Sequence, residues 1–301
     1  MKSGAPRACN GRVGAPRLVV ASLVSLAILC GLAGCGASAP DWQTPLGYRS
    51  SEVIPVHLDR HGMPCFAAAI EGHPIRLGLD TGDMAGLMIA PRVADRLGLR
   101  TTGRTEFFDS DGRPLGSRRA FRVRSLRALG SVWLDQPAAE SPGADPPGLI
   151  GPRYLIAGRF TLDYRTRRLA VSTRPWPDGR GIGVSLPLVW SPRDPGMLMV
   201  RGTAEGESVL VQIDTGKSRT CVDPALARRV KLEPVERGVR LRELSLGRGV
   251  SFFVPSAKLV SFSGISEGLP APIEVGIGWD VLSNLLVTVD YPRRVIWLAR
   301  R

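Results

Sequence analysis

The chain has 301 residues, 44% apolar and 22% charged, which excludes a disordered tail and leaves room for one or two folded domains. Its 35 Gly and 25 Pro favour many turns and short strands over long helices. Lys and Arg outnumber Asp and Glu by 40 to 27, a net charge of +13 compatible with nucleic acid, an anionic membrane or plain solubility; three His and five Cys, with no CxxC or HExxH, exclude a zinc finger and offer no metal site.

The N-terminus comes first along the chain. Lys2, Arg7, Arg12 and Arg17 precede an uncharged apolar run from Leu18 to Ala33, with no acid among them. A basic stretch, a short apolar stretch and small residues at a cut site describe an export signal over residues 1–34. The apolar run is short for a membrane span, which needs about 20 residues. Leu32-Ala33-Gly34-Cys35 resembles the bacterial lipobox. That resemblance implies cleavage before Cys35, lipidation of Cys35 and a membrane anchor, facing the periplasm from the outer membrane if the source is Gram-negative. An uncleaved anchor and cleavage after Ala39 are the competing readings. Residues 35–50 read as a tether. Export removes nucleic acid from the expected partners. Of the remaining cysteines, Cys65 and Cys221 could form one disulfide or stay as two buried thiols.

The body is a repeat. Glu71-Gly72 leads after seven residues to Asp80-Thr81-Gly82, and Glu205-Gly206 leads after seven to Asp214-Thr215-Gly216. Each Asp ends an apolar strand, and each triplet is followed by a Pro (Pro91, Pro224) and an Ala-containing helical turn. Further on, Leu149-Ile150-Gly151 precedes Asp163-Tyr164 as Gly276-Ile277-Gly278 precedes Asp290-Tyr291, twelve residues from Gly to Asp in both. The expectation is an all-β, bilobal chain: one lobe over 51–175, the other over 176–301, and a cleft between them. The first half carries an extra segment near Arg104–Arg119. Its Asp109-Ser110-Asp111-Gly112 reads as a hairpin turn.

Two Asp related by a repeat, each on a Gly-containing turn after a buried strand, form a site if the halves pack about a pseudo-twofold axis. Asp80 and Asp214 would then meet. Two adjacent carboxyls cannot both ionise freely, so they share a proton and serve as one acid and one base. Gly82 and Gly216 let the backbones approach, and Thr81 and Thr215 can tie the turns to neighbouring backbone. An isolated turn-capping Asp is the plain alternative, but it does not explain two copies.

The two Asp-Thr-Gly triplets with Leu149-Ile150-Gly151 and Ile277-Gly278 resemble the paired signature motifs of aspartic proteases of the pepsin and retropepsin type. The segment from Asp214 through Ala227 is also similar to bacterial retropepsin-like proteins. The resemblance covers residues 51–301. It implies catalysis by Asp80 and Asp214 on a polypeptide substrate without cofactor or metal. It further implies support from Thr81, Gly82, Thr215 and Gly216, and a flap hairpin in which Phe107, Phe108 and Gly112 meet substrate. One chain with both motifs implies a monomer that is internally a pseudo-dimer. The sequence departs from the pattern at Asp83 and Lys217, which follow the triplets, and at Gly276, where an apolar residue is usual. These departures keep open a catalytically inactive homologue that binds peptides or partners; a structural envelope lipoprotein has only the lipobox behind it. The six Arg between Arg113 and Arg127 read as the solvated face of the hairpin and the strand that continues it.

Overall fold

Short strands with alternating apolar residues, broken by Gly and Pro, build three sheets in a computed structural model that describes residues 41–143, 145–176, 179–191 and 193–301. One sheet belongs to the first half. Its order is His57–Leu58, Pro64–Ile70, His73–Leu79, Gly148–Ile150, Leu87–Ile89, Ser131–Glu140, Pro114–Ala128 and Arg100–Phe108. The second half repeats that order from its second strand: Met199–Ala204, Glu207–Ile213, Ile273–Ile277, Cys221–Val222, Ser251–Leu259, Gly238–Ser245 and Glu233–Val235. The fold is all-β and bilobal.

The third sheet joins the halves. At its centre Arg159–Asp163 pairs antiparallel with Leu285–Asp290, placing Thr161 opposite Thr288. Their hydroxyls lie 2.9 Å apart. Arg168–Ser172 and Val295–Arg300 flank this pair, and Val53–Pro55 and Val184–Pro187 close the edges. The shared sheet makes the division at residue 175 one of sequence only. The main core runs through both halves, from Phe66, Leu77 and Leu79 to Val211, Ile213 and Ile277.

The repeated Glu-Gly pairs have a structural reason. Glu71 and Gly72, like Glu205 and Gly206, all have positive φ (51°, 79°, 50° and 85°), the geometry of a tight two-residue hairpin. Glu71 Oε1 also accepts from Arg124 N at 2.5 Å, and Glu205 Oε1 accepts from Glu243 N at 3.1 Å and from Arg242 N. Each glutamate thus ties the Asp-bearing hairpin to the long strand beside it.

Residues 1–40 lie outside the described residues, and with them the signal segment, Cys35 and the first part of the tether. From Asp41 onward the tether reading is corrected. Trp42, Leu46 and Tyr48 are buried on the shared sheet with Trp176, Leu286 and Trp297. Trp42 Nε1 donates to the buried Asp163 at 2.8 Å, and Arg301 pairs with Asp41 at 2.9 Å. Three large apolar side chains in seven residues gain more by covering a sheet face than by staying in water.

The first-half sheet ends in a hairpin, Arg100–Phe108 and Pro114–Ala128, whose counterpart Glu233–Val235 is three residues long. Four of the arginines on its second strand or turn meet acids, three of them with partners from elsewhere in the chain. Arg119 pairs with Asp95 and Glu140, both at 2.6 Å, and Arg124 with Glu71 at 3.0 Å. Arg122 pairs with Asp135, and Arg113 with Asp111 at 3.1 Å. The basic run is therefore largely neutralised locally. Cys65 and Cys221 are both buried free thiols.

Candidate active site

Each Asp-Thr-Gly triplet leaves the end of an apolar strand and runs beside the Gly motif of its own half. Leu79 pairs in parallel with Ile150, and Ile213 with Ile277. Asp80 N donates to Ile150 O at 3.1 Å, and Asp214 N to Ile277 O at the same distance. Gly151 and Gly278 lie directly beneath the turns. A methyl on Gly278 would stand 2.6 Å from Lys217 O, and one on Gly151 would overlap Asp83 O. These two positions accept no side chain without displacing backbone.

The two turns are locked to each other by four reciprocal hydrogen bonds. Thr81 N donates to Thr215 Oγ1 and Thr215 N to Thr81 Oγ1, both at 3.0 Å. In return Thr81 Oγ1 donates to Ile213 O at 2.9 Å, and Thr215 Oγ1 to Leu79 O at 2.6 Å. Both threonines are buried, so each bond replaces one that water would otherwise make.

This lock brings the carboxyls together. A methyl on Gly82 would overlap the Asp214 carboxyl, and a methyl on Gly216 would overlap that of Asp80. Each carboxyl thus packs against the glycine of the other turn. Each is also held by its own turn: Gly82 N donates to Asp80 Oδ1 and Gly216 N to Asp214 Oδ1, both at 2.9 Å. Burial, then the charge of Asp214, then that of Asp83, push Asp80 well above the usual carboxylate range.

The residues after the triplets make the site asymmetric. Lys217 Nζ forms an ion pair with Asp214 Oδ2 and donates to the buried Gln212 Oε1 at 3.1 Å. Burial by itself would lower the Lys217 ammonium; the charge and hydrogen bond of Asp214 hold it above its ordinary value. On the other side Asp83 Oδ1 accepts from Ala85 N at 2.9 Å, while its Oδ2 is buried without a partner. Burial, with the charge of Asp214 adding to it, pushes Asp83 up to about 6 against that hydrogen bond. Beyond Asp83 opens a cavity of about 220 Å³, lined by Met84, Pro152, Ile156 and Gly196 among others.

The hairpin placed as a flap has its turn at Asp109–Arg113. Asp109 Oδ1 accepts from Asp111 N and Arg113 N, and Gly112 has φ +80°. Its tip docks on the second half. Ser110 Oγ donates to Ser261 O at 2.8 Å, Gly264 N donates to Ser110 O at 3.0 Å, and Ser263 Oγ donates to Asp111 Oδ1 at 2.6 Å. Gly112 lies against the Gly264 backbone. Phe107 sits under the Arg118 guanidinium at 5.6 Å, and Phe108 is 59% exposed. The structure therefore assembles Asp80, Asp214, Thr81, Gly82, Thr215 and Gly216 in one place. It spends Gly112 on the contact with the second half and leaves Phe108 facing solvent. Sequence reasoning missed Gln212, Phe262 and the Ser261–Ile265 segment. Gly276, small where an apolar residue is usual, was a visible signal for the first two.

A family profile described as aspartyl protease matches residues 66–153, the stretch with Asp80, the hairpin and Gly151. No curated protein sequence matches the chain significantly. Among solved structures, the chain is similar to the crystal structure of basic 7S globulin from soybean, at 10% identity and a TM-score of 0.49, over 82% of this chain and 94% of that one.

Proposed function

We propose that the chain is an aspartic-type endopeptidase that hydrolyses peptide bonds with Asp80, Asp214 and a water held between them. The observation that carries this reading is the crossed packing of each carboxyl against the glycine of the opposite turn, under the reciprocal threonine bonds. It gives two carboxyls in one partly desolvated place, where a single shared proton supplies both an acid and a base. The ionised member takes a proton from water as the water oxygen bonds to the peptide carbonyl carbon. The protonated member gives its proton to the carbonyl oxygen. The former base then passes the proton it took from water to the peptide nitrogen, the C–N bond breaks, and the collapsing diol returns a proton to the former acid. No covalent intermediate on the protein is needed.

The extended hairpin supplies a cover for a polypeptide lying across the turns, and its docking on Ser261–Ile265 defines the closed position. Opening would precede entry of substrate. That same docking favours a second reading, an inactive module that holds a peptide or partner beneath the hairpin. Incubating the purified protein with a mixed peptide library, beside Asp80→Asn and Asp214→Asn, separates the two. Cleavage by wild type alone is the expected result; binding without cleavage by all three would establish the second reading.

We also propose export and lipid attachment at Cys35, on the strength of Leu32-Ala33-Gly34-Cys35. Mass spectrometry of the mature N-terminus tests it, and an unmodified chain starting at Pro40 would refute it.

A further inference from the structure

The position of Lys217 is built rather than incidental. Its ammonium bonds Asp214 Oδ2 and the Oε1 of Gln212, a residue 1% exposed. The ammonium also lies 5.9 Å from the centre of the Phe262 ring, within cation–π range. Room for this arrangement comes from Gly276. A methyl there would stand 3.1 Å from the Phe262 ring and 3.5 Å from Lys217 Cε. The residue that breaks the expected apolar-apolar-Gly pattern is thus the one beside which the lysine stem and the aromatic ring pack. Three groups from two segments, Asp214 and Gln212 from one and Phe262 from the other, converge on one ammonium, and Gly276 faces its stem.

We infer that Lys217 fixes the division of labour in the carboxyl pair: it holds Asp214 as the ionised base and leaves the shared proton on Asp80 as the acid. The inference rests on the endopeptidase reading for the words base and acid, but the charge assignment stands on the geometry alone. In a symmetric pair the proton has no preferred side. Here a cation touches one carboxyl and, among the described residues, none is bonded to the other, so the state with the proton on Asp80 is favoured. Lys217 does this without touching substrate, and is a positioning residue.

Other charged and titratable groups face the pair. Asp83, on the same turn as Asp80, opposes its ionisation. The Tyr164 phenol is buried, and the charges of Asp214 and Asp80 add to burial in raising it. The Cys221 thiol neighbours Lys217 and is held protonated chiefly by burial. Of these groups, Lys217 is the cation, and it opposes the upward push on Asp80.

The test follows the carboxyl carbons by NMR in protein labelled at aspartate, in wild type, Lys217→Met and Lys217→Arg, with circular dichroism to establish folding. Methionine keeps the stem beside Gly276 and removes the charge; arginine keeps the charge. In wild type the protonated signal should be confined to Asp80 while the pair holds one proton; without the cation it should spread over both carboxyl carbons, and the Asp80 midpoint should move up. Arginine should restore most of the wild-type behaviour. In Lys217→Met both limbs of the pH–rate profile should shift to higher pH, the lower further than the upper because the lost cation touches Asp214, and the upper by the same amount as the Asp80 midpoint. An Asp80 titration in folded Lys217→Met superimposable on wild type would overturn the inference. A shifted titration with no peptide turnover by wild type would leave the charge assignment standing and overturn the endopeptidase reading instead.

Discussion

The two turns share one backbone and differ in the fourth side chain. In both, the Asp is held by its own Gly N–H at 2.9 Å and packs on the other Gly, and the threonines exchange equivalent bonds. After that the first half places a carboxyl, Asp83, and the second an ammonium, Lys217. Geometry is kept symmetric because it must bring two acids together. Charge is asymmetric, with a further carboxyl beside one acid and a cation beside the other. The same contrast runs outward: the first half extends a hairpin, and the second supplies the short segment on which it rests.

The largest effect should come from breaking the shared part. Asp80→Asn and Asp214→Asn should each lower peptide turnover by about a thousandfold or more, since each removes a proton-transfer group. Melting temperatures close to wild type would show that the loss is chemical. If either variant kept most of the wild-type rate, the pair would not be the catalytic unit.

Gly82→Ala and Gly216→Ala probe the close approach from both sides. Each pushes a methyl into the opposite carboxyl, so each should cost about 1–3 kcal/mol of stability and abolish turnover. Denaturant titration reads this. Unequal losses would locate the side on which the turns yield.

Asp83 sharpens the comparison through pH. In the fold it takes up its proton near 6, and the ordinary value is 3.8. Between those values the folded state binds more protons than the unfolded one, so stability falls as pH rises through this window and stays lower above it. Asp83→Asn keeps the acceptor for Ala85 N and removes the ionisation. It should gain about 2–3 kcal/mol at about pH 7.5 and nothing below about pH 3.5. Equal melting at the higher pH would mean that water reaches the Asp83 carboxylate.

The smallest effect concerns the outer contrast. Ser263→Ala removes the hydroxyl that donates to Asp111 at the hairpin tip, and leaves the Gly264 N bond to Ser110 and the Ser110 hydroxyl bond to Ser261 O. Stability should change by less than about 1 kcal/mol. Hydrogen exchange of residues 109–113 should quicken, because the tip opens more often. Unchanged exchange would show that the Ser263 hydroxyl does not help to hold the tip.

Much of this was legible along the chain. The repeat, the two triplets, the Gly motifs and the extra hairpin of one half follow from spacing, because a duplicated backbone needs the same residue types at the same turns. The reach of the N-terminal segment was misread: Trp42, Leu46 and Tyr48 are buried on the shared sheet, but the Pro- and Gly-containing text around them reads as linker. The pairing of Arg119 with Asp95 and Glu140 was not legible, since the partners lie on a helix and a strand joined only by the fold.

The amino-acid sequence by itself determined the all-β class, the pair of equivalent halves and the identity of the two carboxyls, all of which depend on local pattern and its repetition. The tertiary structure decided which charges meet. Lys217 could have turned to solvent; it instead bonds Asp214 because Gly276 leaves space beside it, Phe262 closes that space and Gln212 needs a buried donor. Those three come from separate strands and a loop, and their convergence depends on packing that no linear spacing encodes.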